Sequence, residues 1–148
     1  MTAQTKEVKP INRIQDEIIE DFSGLGDWMD KYQHLIQLGQ SLQAESEDLQ
    51  SEENLIPGCQ SDVWITVEKN GDTLHIDADG EAYITKGIIS LLLRVFNDQP
   101  PEDILESDLY FLGEIGLKEH LSPSRANGLS SIVDRILTLA EENQSSSS

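Results

Sequence analysis

Apolar residues recur at three- and four-residue intervals through Ile11, Ile14, Ile18, Ile19 and Phe22, directly after Pro10. This spacing predicts a first helix with one buried face. Ser23 to Gly26 interrupt it, and Asp27 offers a capping carboxylate to a second helix with Trp28, Tyr32, Leu35, Ile36 and Leu42 on one stripe. The two are expected to form an antiparallel hairpin. Residues 43–53 (QAESEDLQSEE) hold no sustained period and read as a solvated connection with room for one helical turn.

The period then changes from helical to alternating. Val63, Ile65 and Val67 alternate with Trp64, Thr66 and Glu68, and Asn70-Gly71 is a strong two-residue hairpin signal. With those two residues as the loop, Val67 is expected opposite Leu74, Ile65 opposite Ile76 and Val63 opposite Ala78. All six then lie on one face, with Trp64 opposite Asp77 and Thr66 opposite His75 on the more polar one.

Helical spacing returns from Ala82 to Phe96, where Ile84, Ile88, Leu91, Leu92 and Val95 form a stripe and Ile89, Leu93 and Phe96 extend it into a buried central helix. Pro100-Pro101 ends it, Glu102 to Leu105 suits a short helix, and short segments follow around Tyr110, Phe111 and Ile115. Ser122-Pro123 sets a capping hydroxyl before a proline, opening a last helix through Leu129, Ile132, Val133 and Ile136 to about Glu141. The expected fold is α+β: a helical hairpin, a small antiparallel sheet and further helices in one layer-packed domain over residues 11–141, with residues 1–10 and 142–148 as flexible termini.

A chain of 148 residues with 37% hydrophobic composition supplies one core. Ten Lys and Arg against 28 Asp and Glu give a net charge of -18, which repels nucleic acid and anionic membranes. The longest apolar run, Gly87 to Val95, is broken by Ser90 and Arg94 and is too short to span a bilayer. Residues 1–10 lack the pattern of a secretory signal, so a cytoplasmic location is expected.

Cys59 is the single cysteine, so neither an internal disulfide nor a Cys-based metal site is expected. It follows Pro57-Gly58, a pair suited to the centre of a type II turn, which presents the thiol at a turn exit. One thiolate suffices to take the outer sulfur of a donor persulfide and hold it until a second thiolate removes it. A hydrolytic cysteine would need an oriented base, and His34, His75 and His120 show no local signature of one. Free cysteine is also among the most buried residue types, so a structural Cys59 stands beside a reactive one.

The segment Gly58-Cys59-Gln60-Ser61-Asp62-Val63-Trp64 resembles the Gly-Cys-x-Ser-x-Val-Trp signature of the SufE family. Asp27 to Tyr32, Ile84 to Ile89 and Ser122 to Leu129 are similar to three further family segments in the same order, so the likeness runs over roughly residues 11–140. The resemblance implies a SufE/IscU-like fold and a sulfur carrier, not an enzyme with its own cycle. Cys59 would receive persulfide sulfur from a SufS-type cysteine desulfurase, stimulate that enzyme and pass sulfur to a SufBCD-like iron–sulfur scaffold complex. Pyridoxal phosphate would belong to the desulfurase, leaving this chain no cofactor of its own. Gly58, Gln60 and Ser61 would shape the persulfide loop, and Arg125 would either stabilise thiolate or persulfide or form a salt bridge in the last helix's first turn. The chain is expected as a monomer or homodimer. An acidic adaptor with an incidental cysteine, or an independent Cys-dependent enzyme, are the alternatives.

Overall fold

The computed structural model describes residues 10–56 and 62–145. Among them, seven helices and one hairpin follow in order: α1 (Ile11–Ser23), α2 (Trp28–Ser41), a 3₁₀ turn (Glu52–Asn54), β1 (Val63–Asn70), β2 (Thr73–Gly80), α3 (Tyr83–Phe96), α4 (Pro101–Glu106), α5 (Phe111–Glu114), α6 (Leu117–His120) and α7 (Pro123–Ser145). Two helix starts carry the expected caps. Asp27 accepts from the Asp30 N–H at 3.2 Å and Ser122 Oγ from the Arg125 N–H at 3.3 Å.

The apolar helix α3 is the centre of the core, with Ile84, Ile88, Leu92, Val95 and Phe96 buried. Its main partner is α2, while β2 and α1 also pack on it and α7 packs against β1 and α4. Two glycines set the α2–α3 crossing. A Cβ on Gly39 would collide with the Tyr83 carbonyl and one on Gly87 with the Leu35 carbonyl, so the two backbones are in direct contact. The helices α1 and α2 meet through the Phe22 ring and His34, edge-on at 5.2 Å, but α2 packs chiefly on α3 and α1 on both α3 and α5, so the two do not form the closely packed hairpin expected.

The hairpin register corrects the sequence expectation by two residues. Val63 faces Gly80, Ile65 faces Ala78, Val67 faces Ile76 and Asn70 faces Thr73, which makes Gly71-Asp72 the loop. Gly71 takes φ 67°, whereas neither Asn70 nor Asp72 is left-handed. A type I′ turn over Asn70-Gly71 needs positive φ at both, and glycine at the first central position suits the type II′ form. An even shift keeps every side chain on its face, so Ile65, Leu74, Ile76 and Ala78 remain buried.

Two further expectations change. The 43–53 connection is anchored: Leu49 is buried, and the buried Asp77 carboxylate accepts the N–H groups of Glu45 at 2.9 Å and Ser46 at 3.0 Å. It therefore lies across the polar face of the sheet. The last helix runs beyond 141 to Ser145, with the Asn143 amide donating to the Leu139 carbonyl at 2.8 Å. A helix already nucleated by the buried Leu129, Ile132, Ile136 and Ala140 extends at little cost, and it takes in residues 142–145.

Candidate functional site

Cys59, Gly58, Gln60 and Ser61 lie outside the described residues, but both ends of their segment are fixed. On the entering side the Ile56 N–H donates to the Val63 carbonyl at 2.9 Å, and Leu55 bridges to Trp64. On the leaving side the Asp62 N–H donates to Glu81 Oε1 at 3.1 Å, and the Glu81 N–H donates to the Asp62 carbonyl at 3.0 Å. Residues 57–61 thus spring from one end of the hairpin, where β2 ends at Gly80 and α3 begins at Tyr83. Val63 is fully buried and Ile56 nearly so, which sets the root of this segment into the core.

A charged cluster lies at the same end. Asp79, cross-strand from Trp64, accepts the Gly80 N–H at 2.8 Å and the Gln50 amide at 3.2 Å, and its Oδ1 lies 3.3 Å from Lys86 Nζ. The Lys86 ammonium also sits 5.7 Å from the centre of the Tyr83 ring. Both partners of this ion pair are largely buried, so Lys86 fixes the start of α3 to the sheet.

Arg125 is half-buried in the first turn of α7, where only its backbone N–H enters the cap. No ion pair of its guanidinium occurs among the described residues, so the expected alternative of a salt bridge there has no partner to name. The histidines have other engagements. His34 packs on Phe22, His75 lies 2.7 Å from Glu45 Oε1, and His120 stacks on Trp28 at 4.4 Å while its Nδ1 meets the Gly116 carbonyl at 3.0 Å. The Glu45 hydrogen bond raises the His75 pKa above its ordinary 6.5 despite opposition from burial. Among the described residues no group of three or more His, Cys, Asp or Glu side chains could hold a metal ion. No helix among them is long and apolar enough to cross a membrane.

Glu81 escaped the reading of the sequence. Its only signal is an acidic residue just ahead of a helix, and its partner is a backbone amide nineteen positions earlier.

Comparison with known proteins gives this architecture its family. The chain belongs to the SufE family, described as the Fe-S metabolism associated domain, whose model matches residues 16–140. A relative named as an uncharacterized SufE-like protein in Rhizobium meliloti (strain 1021) is 38% identical over 131 residues, covering 85% of this chain and 94% of the relative. Another in Rhizobium etli is 36% identical over 126 residues, covering 82% and 85%. The solution structure of a hypothetical protein from Thermus thermophilus superimposes with a TM-score of 0.73 at 19% identity, over 89% of this chain and 96% of that one. That last likeness speaks to the fold alone. A role connected with Fe-S metabolism and its sulfur follows from the family.

Proposed function

We propose that this protein is a sulfur acceptor and carrier: Cys59 takes persulfide sulfur from a SufS-type cysteine desulfurase, stimulates its turnover and delivers the sulfur to an iron–sulfur scaffold complex. The observation that carries this reading is a lone cysteine on a short segment whose two roots are hydrogen-bonded, Ile56 to the buried Val63 at the start of the hairpin and Asp62 to Glu81 just beyond its end. Exchange at such a cysteine would leave the hydrogen bonds at both roots in place. Membership of the SufE family supports the same direction.

In the transfer, the Cys59 thiolate attacks the outer sulfur of the donor persulfide. A new S–S bond forms, the donor S–S bond breaks, and the donor cysteine leaves as its thiolate. Two sulfur bonds are exchanged without net oxidation, so no redox cofactor is required. The carried sulfur leaves in the same way when an acceptor thiolate attacks it. Arg125 is our candidate for a cation that steadies thiolate or persulfide, since its guanidinium has no ion pair among the described residues.

The direct test mixes the protein with a SufS-type desulfurase and cysteine and reads intact mass. A gain of one sulfur atom on Cys59, removed by a reducing thiol, is the expected result. Stimulated turnover with no added sulfur at Cys59 would make the protein an adaptor instead.

A further inference from the structure

The two outer edges of the hairpin are treated differently. On β2 the edge is closed: Leu74 donates to the Gln99 carbonyl at 3.0 Å and accepts from the Asp98 N–H at 2.9 Å, and the Asn97 side chain accepts the Ile76 N–H at 2.6 Å. On β1 the Val63 carbonyl points outward to Ile56. Backbone direction alternates along a strand, so Ile65, Val67 and Lys69 also turn their N–H and C=O groups away from β2. Leu55 covers only the start of this edge, through its bridge to Trp64. For Val67 and Lys69, half-buried and exposed, the outward backbone groups have no partner among the described residues. An open strand edge is a template for another strand.

The neighbouring surface selects what binds there. A cleft of about 620 Å³ separates the 43–53 connection from the polar sheet face, and Glu45, Asp48, Glu53, Thr66, Glu68 and His75 line it. A strand added beside β1 would place alternate side chains on the side of Thr66 and Glu68, towards this acidic cleft. A second copy of a chain carrying a net charge of -18 would bring like charge to like.

We infer that the free edge of β1 at Val67 and Lys69, together with the acidic cleft beside it, docks an extended segment of a partner protein with Lys or Arg at alternate positions. The partner backbone would pair with Val67 and Lys69, and its cationic side chains would meet Glu68, Glu53 and Asp48. This inference does not depend on the chemistry of Cys59.

The test uses the full chain and a blocked hexapeptide of alternating valine and lysine, followed by amide shifts and amide hydrogen exchange. Saturable binding that protects the Val67 and Lys69 N–H groups is expected. Lys69→Pro removes an outward-facing N–H, which an edge strand tolerates, along with a cation that Lys69→Gln removes alone; the proline variant is compared with that control. It should weaken the peptide about tenfold, and so should Glu68→Lys. Unchanged Glu68 and His75 amide exchange in the free Lys69→Pro protein verifies an intact hairpin. Absent binding, equal affinity for Lys69→Pro, protection elsewhere, or equal affinity for an alternating valine–glutamate peptide would overturn the proposal. Protection of these amides that grows with protein concentration alone would assign the edge to a second copy and overturn it too. None of these readouts involves sulfur, so their failure would leave the carrier function standing.

Discussion

Asp62 and Glu81 clasp each other at the root of the cysteine segment: each donates its backbone N–H to the other residue, one to a side-chain oxygen and one to a carbonyl, at 3.1 and 3.0 Å. The backbone half belongs to the sheet end, and the side-chain half can be removed alone.

Glu81→Ala should therefore loosen the leaving side of the segment without unfolding the hairpin. One exposed hydrogen bond contributes about 1 kcal/mol, so the urea midpoint should fall only slightly. The alkylation rate of Cys59 in the native protein should rise several-fold, by roughly the same free energy, while Glu81→Gln, which keeps an acceptor oxygen, should stay near wild type. An unchanged alkylation rate in Glu81→Ala would show that the clasp does not govern access.

Cys59→Ser should keep the fold, because it replaces one small side chain by another. It should lose all sulfur acceptance, since a serine hydroxyl is not ionised at neutral pH and cannot form a persulfide. Desulfurase stimulation should collapse with it, measured as sulfide release in the presence of a reductant.

Gly87→Ala and Gly39→Ala should be among the most damaging small changes in the protein. Each methyl group would meet backbone of the facing helix, at Leu35 and Tyr83, and backbone cannot rotate aside. A loss of about 2–3 kcal/mol or more is expected by chemical denaturation. Gly113→Ala is the contrast, because its added Cβ would meet only the flexible Lys118 side chain at 3.8 Å. That substitution should be neutral or stabilise α5 by up to about 1 kcal/mol.

The His75–Glu45 pair should give the connection a pH-dependent hold on the sheet. The folded-state His75 pKa lies above the ordinary 6.5, so its stabilisation is full below that value and is lost as pH rises through the raised one. The pair is partly exposed and worth about 0.2–1 kcal/mol. Glu45→Gln should narrow its stability gap from wild type as the buffer moves from about pH 6 to about pH 9. A gap that is constant across that range would assign Glu45 no role in charging His75.

Much of this was legible in the sequence because periodicity reports burial. The Ile11 to Phe22 and Ile84 to Phe96 stripes became α1 and α3, and the caps at Asp27 and Ser122 formed as their residue types require. The turn moved by one residue, and the register with it by two, because dipeptide identity does not fix which residue becomes left-handed. Asn70 stayed extended and Gly71 alone took positive φ. The anchoring of the 43–53 connection was hidden for a different reason: Asp77 reaches backbone amides more than thirty positions earlier, and no local pattern encodes that. The cysteine motif was readable in residue types, whereas the Glu81 contact at its root depends on how the sheet end meets the next helix.

The fixed roots also set the length of a leash. Cys59 stands three residues from Ile56 and three from Asp62, and an extended chain spans at most about 3.3–3.6 Å per residue. Whatever path the segment takes, the Cys59 Cα stays within about 11 Å of both roots while they hold. A protein exchanging an atom with this thiol must therefore bring its own sulfur to within that radius extended by the cysteine side chain and one sulfur–sulfur contact. A donor sulfur recessed beyond that reach would stay out of contact while both roots hold, however well the surfaces matched.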